Sequence, residues 1–570
     1  MANFFKDNKD LCFTLNNIDL EEVVRLREEN YEFAKEFDNA PADFADALDN
    51  YNRVLSVVGE ISGDRIEPRS RTVDAEGPHF ADGVVTYHPL TVQNLKDLTD
   101  AGVMGVMLDH KFGGLNFPVT VYTMMTEMVS RADASLQNIF GLQDIAETIN
   151  FFGNDEQKEK YLPGFAAGEL DGAMDLTEPD YGSDLQSVRL RAWQDENGQW
   201  YLNGMKRFIT NGCAKVHLVL ARSEEGTTDG RGLSMFICEA CPQLVVRRIE
   251  NKLGIHGVAT TELQYNDVPA QLCGRRRMGL IRYVMSLMNG ARVAISAQAV
   301  GIAEAAYREA RKYASERKQF KQTIDQFPAI YAMLSEMKVK LTAARALLYE
   351  TTRAVDLRNG YNALVEQGKA TAEDKAKAKY YDKVAAVLTP MCKALATEVS
   401  NQIAYDAIQI HGGTGYMKDF NVERFYRDAR ITNIYEGTTQ LQVVAAIGGV
   451  MQRANDARID EMAALPFEGK MAELRDKLLA MRAKQQEIVQ VVTDKKDVAF
   501  HDLVARNLVE METYIFVGFL LLRDALKSEE RFAIAERYIL DNELEYNKRF
   551  ARIMAGDVKL IDNKRDIIDY

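Results

Sequence analysis

Cysteine is scarce in this chain, at six in 570 residues, which excludes a disulfide framework. Cys238 and Cys241 are a single close pair with no second pair at zinc-ribbon spacing, and they read as two ordinary thiols at a strand end. A reducing cytoplasm is the simplest setting for them. Long apolar runs are missing too. The longest, YIFVGFLLL at 514–522, falls far short of the ~20 residues that a bilayer span needs, so it reads as a buried helix segment rather than a membrane contact. The N-terminal MANFFKDNKDLCF scatters charge through the region that a signal peptide keeps apolar. Positive charge is in deficit. Formal net charge is −14, and no basic run exceeds Arg275, Arg276 and Arg277, so nucleic acid held by bulk charge is excluded. Neither standard nucleotide loop is present: no GxGxxG opens a helix after a strand, and no GxxxxGKS or GxxxxGKT occurs.

What is present is helix-forming sequence around a β centre. Residues 20–60 and 90–170 are rich in Ala, Leu, Glu and Lys at helical spacing. NLKDLTDAGVMGVMLDHKFGG reads as a helix ended by glycine and a turn. The segment 120–153 repeats apolar residues every three or four positions and reads as a second helical stretch. From 172 to 272 apolar and polar residues alternate, with Asn-Gly and Asp-Glu-Asn-Gly turns between the runs, which predicts antiparallel hairpins. Helices return from 280 to 455, where the polar stretch 359–382 either loops out or extends a helix pair. The sequence beyond has one proline, Pro466, and dense helix formers. The expected domains are 1–171, helical with an N-terminal extension; 172–279, a β domain; 280–454, a helical bundle; and 455–570, a helical extension. This order excludes a doubly wound α/β fold, which needs alternating elements, and predicts an α+β multidomain class.

One carboxylate stands out. In TNIYEGTTQLQ (432–442), Glu436 sits between an aromatic residue and a glycine, before a Thr-Thr-Gln run. A turn at a helix end would explain it, and so would a catalytic base kept away from water.

Seven motifs occur in order: LTEPDYGSD (176–184), YLNGMKRFITN (201–211), NKLGIHGVATTEL (251–263), YASERKQF (313–320), QIHGGTGY (409–416), RDARI (427–431) and IYEGTTQLQ (434–442). Together they resemble the flavin-dependent acyl-CoA dehydrogenases over about residues 90–450. The resemblance implies a helical N-terminal domain, a β-barrel-like middle domain and a C-terminal four-helix bundle, here with a helical extension. It implies α,β-dehydrogenation of an acyl-CoA thioester to the trans-2-enoyl-CoA. Glu436 would take the α-proton, the β-hydride would go to N5 of FAD, and the electrons would pass to an electron-transfer flavoprotein. A base for this proton needs a carboxylate whose pKa is raised by burial. In relatives that place the base one residue before a helix arginine, that arginine corresponds to Arg292. Here Ala291 precedes it, so Glu436 has no rival.

By the same resemblance, Leu176 and Thr177 contact the flavin ring edge, and Ser183 lies near both flavin phosphate and CoA. Phe208 stands where the family usually has tryptophan against the flavin face, and Thr210 hydrogen-bonds the ring. Arg317, Phe320, Gln409 and Gly413 serve the pyrophosphate and ADP portion across a subunit boundary, and Thr438 and Gln440 touch the flavin. Asn289, Arg292, Tyr435 and Gly437 join Ser183 on the substrate side. A homodimer or homotetramer follows, with FAD bound noncovalently between subunits and no metal. The chain departs from the family's pattern in three places: Lys321 stands where glycine is common, Pro328 where glutamine is common, and CGRRRMGL lacks the usual glycine-spaced turn. Two other readings share the motifs in part, an acyl-CoA oxidase using O2 and a catalytically silent helical partner protein.

Overall fold

In the computed structural model, which describes residues 2–569, the helical stretch from 120 is made of three α-helices. They are Val119–Ala132, Ala134–Phe140 and Asp144–Phe152. The Asp133 carboxylate makes the first break: it accepts from the N–H groups of Ser135 and Leu136 at 2.8 and 3.2 Å, which caps the second helix. The helix Pro89–Asp100 ends just before Gly102, at φ +69, where the sequence puts a glycine stop.

The chain divides into two units. The first holds the residues up to Tyr313 with Ile403–Thr432, and the second holds Ala314–Gln402 with the chain from Asn433 onward. In the first unit a small hairpin pairs β1 (His79–Ala81) with β2 (Val84–Thr86) through Asp82-Gly83, both at positive φ. The β centre follows as β3 (Gly172–Asp175), β4 (Arg191–Gln194), β5 (Trp200–Thr210), β6 (Val216–Arg222), β7 (Leu233–Glu239), β8 (Leu244–Ile249) and β9 (Thr260–Cys273). The order is β3-β6-β4-β5-β9-β7, and pairing of β6 with β7 closes the ring into a small barrel. The pairs β3–β6 and β4–β6 are parallel, which the hairpin expectation did not include. Leu202, Phe236, Tyr265 and Val268 fill one face. On the other, Ile145, Ile149, Leu162 and Phe165 of the preceding helices pack on Val216, Leu218 and Ile237. The barrel thus has apolar packing on both faces, and its ends are left for polar work.

In the second unit the polar stretch 359–382 extends a helix pair. The helix Pro328–Glu366 turns back over five residues into Ala372–His411, and Tyr361 stacks on Tyr381 across the turn at 6.1 Å. A short hairpin, β10 (Lys318–Gln319) with β11 (Gln322–Thr323), precedes the pair. The terminal helices Gly469–Lys495, Val498–Lys527 and Phe532–Met554 pack together, the middle one also against Thr439–Met451 and Pro328–Glu366. The apolar run lies in that middle helix. Ile515, Phe516, Val517, Phe519 and Leu520 are fully buried there, each stabilising the bundle by on the order of 2 kcal/mol.

Candidate active site

In the first unit, the residues expected against a flavin are set by a buried cation. Lys206 is fully buried, and its Nζ donates to Leu176 O at 2.8 Å and to Glu178 Oε1 at 3.0 Å. Burial pushes the Lys206 pKa down, against the opposing pull of Glu178. The Glu178 carboxylate also accepts from the N–H groups of Arg189 and Leu190. The carbonyl of Thr177 takes the Arg207 N–H at 2.9 Å. With both carbonyls held, the backbone of Leu176 and Thr177 is fixed in place.

Arg207 and Phe208 lie where the β5–β9 register shifts, between Lys206 and Ile209. A bulge re-aims a side chain, and Phe208, at φ +61, presents a ring that is 51% exposed with the Arg207 guanidinium 4.7 Å from its centroid. Thr210 follows on β5, paired with Thr260. Beyond it, buried Asn211 receives the Tyr87 hydroxyl and donates to Asp171 and Gly172 O, which fixes the strand end. An exposed aromatic face beside a rigid row of donors fits an isoalloxazine. Ser183 is exposed in the loop after Tyr181.

Asn289 and Arg292 are three residues apart on one helix, hence on one face, and Arg292 Nη1 donates to Asn289 Oδ1 at 3.0 Å. Arg292 is buried. Gln409 is exposed near the end of the helix Ala372–His411, and Gly412 and Gly413 follow in a single 3₁₀ turn, also exposed. The turn is backed by His411, which stacks on Tyr313 at 4.1 Å, and by the Tyr313 hydroxyl against Thr414. No atom lies within 4 Å of where a Gly413 side chain would begin, so there is room for a phosphate against its backbone.

Two motifs with no expected site residue prove to brace each other. Asp428 Oδ1 accepts the Ile255 N–H at 2.5 Å, and Arg427 bridges Asp74 and Glu423. A side chain at Gly254 would meet the Arg427 carbonyl at 2.5 Å, so NKLGIHG and RDARI fit only backbone to backbone.

The second unit carries the carboxylate. Glu436 is half-buried in the turn that precedes the helix Thr439–Met451, with φ +52, and Gly437 follows at φ +90. The Thr438 hydroxyl caps the helix by accepting the Leu441 N–H, and the Thr439 hydroxyl donates to Glu398 at 2.6 Å. Tyr435 is half-buried, and Gln440 is exposed on the first helical turn. Sequence reasoning missed two residues here. Lys393, fully buried, donates to Gly437 O at 2.7 Å; Gln442, also fully buried, donates to the same oxygen at 2.8 Å and to Glu436 O at 3.3 Å. Gln442 closes the quoted motif, whereas Lys393 lies 43 residues before Glu436 and nothing local marks it.

Arg317 and Phe320 belong to the β10–β11 hairpin. Arg317 is exposed, and its carbonyl holds the Ile324 N–H. Phe320 and Lys321 form the two-residue turn at φ +51 and +69, and Phe320 is 89% exposed. The left-handed φ explains why a glycine would be at home at 321. Pro328 is the first residue of its helix, a position that proline suits.

Comparison with known proteins covers most of the chain. Family models described as acyl-CoA dehydrogenase N-terminal, middle and C-terminal domains match residues 50–169, 173–268 and 281–448, and one described as acyl-CoA dehydrogenase C terminal matches 455–559. An acyl-CoA dehydrogenase of Bacillus subtilis is 39% identical over 359 residues, which span 61% of this chain and 87% of that protein. A chain solved in work on the electron transferring flavoprotein of Acidaminococcus fermentans is 30% identical with a TM-score of 0.59, over 70% of this chain and 96% of its own. An acyl-CoA dehydrogenase of Bacillus anthracis complexed with FAD shares the fold over 89% of this chain and 88% of its own, at a TM-score of 0.76 and 24% identity.

Proposed function

The chain belongs to the acyl-CoA dehydrogenase family, and from that premise we propose that it oxidises the Cα–Cβ bond of an acyl-CoA thioester to the trans-2-enoyl-CoA, with Glu436 as the base. It is an FAD-dependent oxidoreductase of the CH–CH class. The observation that carries the reading is the Glu436 turn: an acid held at φ +52 by a buried lysine and a buried glutamine.

Glu436 holds the α-proton on its carboxylate, and its N–H donates to the thioester oxygen as negative charge gathers there. Arg292, oriented by Asn289, steadies the substrate, and Ser183, Tyr435 and Gly437 are the other residues assigned to it. Bound FAD supplies the acceptor for the β-hydrogen. Leu176, Thr177, Phe208 and Thr210 hold its ring, aided by Thr438 and Gln440. Arg317, Phe320, Gln409 and Gly413 hold its phosphates from a second copy of the chain. The exposure of Phe208 and Phe320 supports that shared site, and with it a homodimer or homotetramer. Electrons pass on to an electron-transfer flavoprotein, a reading supported by the likeness to the Acidaminococcus chain. No described helix is long and apolar enough to cross a membrane. All six cysteines are free, which supports a cytoplasmic setting.

The test is anaerobic mixing of the purified yellow protein with saturated straight-chain thioesters from butyryl-CoA to palmitoyl-CoA. At least one is expected to bleach the flavin, and the reduced protein should reoxidise slowly in air. A colourless protein, or a flavin that none of them bleaches, would sink the reading. Fast reoxidation with peroxide release would reassign it as an oxidase.

A further inference from the structure

Lys393 is buried beside the Glu436 turn, yet it neither takes the proton nor meets the substrate in the reaction as read above. A buried ammonium loses its hydration, and it persists only where its donors are used. Its Nζ converges with Gln442 Nε2 on Gly437 O, at 2.7 and 2.8 Å, while Gln442 also reaches Glu436 O. The two donors come from different helices, Ala372–His411 and Thr439–Met451, so neighbouring carbonyls of one turn are gripped from two sides. The gripped residues are the two at positive φ. Glutamate at φ +52 is in a sparsely populated region, and it stays there only if its surroundings over-determine it. Gly437 has no room to change: a side chain there would begin 2.7 Å from Gln442 Nε2.

We propose that Lys393, with Gln442 as the second donor, is a positioning residue for the base. Lys393 holds the Gly437 carbonyl and Gln442 the Glu436 carbonyl, so the two peptides after Glu436 are fixed, and through them the directions of its carboxylate and N–H. Without the ammonium, the turn relaxes toward ordinary negative φ, and the carboxylate leaves its line to the substrate. The inference rests on the reading of Glu436 as base, but the anchoring itself can be measured without any chemistry.

The experiment uses the holoenzyme and Lys393→Met, which keeps an unbranched apolar stem one atom shorter and removes the charge and the donors. Hydrogen exchange by mass spectrometry over residues 433–442 reads the anchoring. Flavin reduction by the best of the straight-chain thioesters reads its consequence. Exchange of that segment should quicken by about tenfold. Reduction should slow by about 100-fold, with thioester binding changed less than about threefold. Glu436→Gln is the control, expected to stop reduction while leaving exchange as in the wild type. Normal reduction in that control would fail the base reading alone, and exchange would still judge the anchor. Exchange and reduction both within about twofold of wild type in Lys393→Met would overturn the proposal. Should that variant not fold, Gln442→Met, which removes the second donor, is read in the same way, and unchanged exchange there overturns it equally.

Discussion

Phe208, Phe320 and Glu436 all carry their backbone in the left-handed region, at φ +61, +51 and +52. None is glycine or asparagine, and each such conformation costs on the order of 1–3 kcal/mol. The spending falls on the aromatic expected against the flavin, the hairpin tip and the proposed base. At the base, chemistry and shape can be separated. Glu436→Gln keeps the side chain's size and its turn while removing its basicity. It is expected to retain FAD and bind thioester, yet to lose flavin reduction by more than the roughly 10²–10⁴ usually credited to a general base, because Ala291 offers no substitute. Stopped-flow bleaching measures the step. A variant within about tenfold of wild type would show that the proton leaves by another route.

Among the elements, the helix Val498–Lys527 holds the clearest titration. Glu512 is buried in it and accepts a hydrogen bond from Asn455 at 3.2 Å. Burial pushes its pKa up from 4.5 to about 7, a rise that the Asn455 bond opposes and Asp456 adds to. Below pH 4.5 both folded and unfolded chains carry the proton, and the site is neutral to stability. Between 4.5 and 7 the unfolded chain releases it first, so stability falls as pH rises, by up to roughly 3 kcal/mol. Glu512→Gln should therefore raise the melting temperature at pH 8 and leave it nearly unchanged at pH 4.5. Thermal melts at the two pH values check this, and equal shifts would place the cause elsewhere.

Legibility varied by element in the same physical way. Long amphipathic helices and alternating strands were plain, since their signal is local and periodic. Periodicity alone does not mark the break at Asp133, a cap that interrupts the helical stretch from 120, and Asp82-Gly83 is the local mark of the β1–β2 hairpin. At the site, the motif residues could be read. Lys206 and Lys393 could not be given their roles, because a buried lysine is meaningful only with its distant carbonyl in view.

The whole molecule joins core and extension through buried charge. Glu350, on the bundle helix Pro328–Glu366, receives Arg458 Nε at 2.8 Å and Arg523 Nη1 at 2.7 Å. Burial would raise its pKa, but the guanidinium groups of Arg458, Arg523 and Arg353 override that and hold it well below the usual carboxylate range. A chain ending at residue 450 would lose two of these partners and expose the apolar faces of two helices. Stranding the acid alone costs about 3–5 kcal/mol. Such a chain should be insoluble or aggregated by size-exclusion chromatography, and a soluble, flavin-loaded product of native size would contradict this. Assembly has its own probe in Arg317→Ala, which should lower the flavin-to-protein ratio after desalting and shift sedimentation toward smaller species. Full flavin and normal sedimentation would remove Arg317 from the shared site. The Glu350 cluster also sets a clock on synthesis. Its partners follow it by 108 and 173 residues, so at about 5–20 residues per second the ribosome delivers the second arginine roughly 10–35 s after the acid. Throughout that interval the nascent bundle has a charge lacking part of its compensation where its core must close. A message cut short before codon 523 therefore yields a product whose Glu350 lacks one of its two hydrogen-bonded arginines.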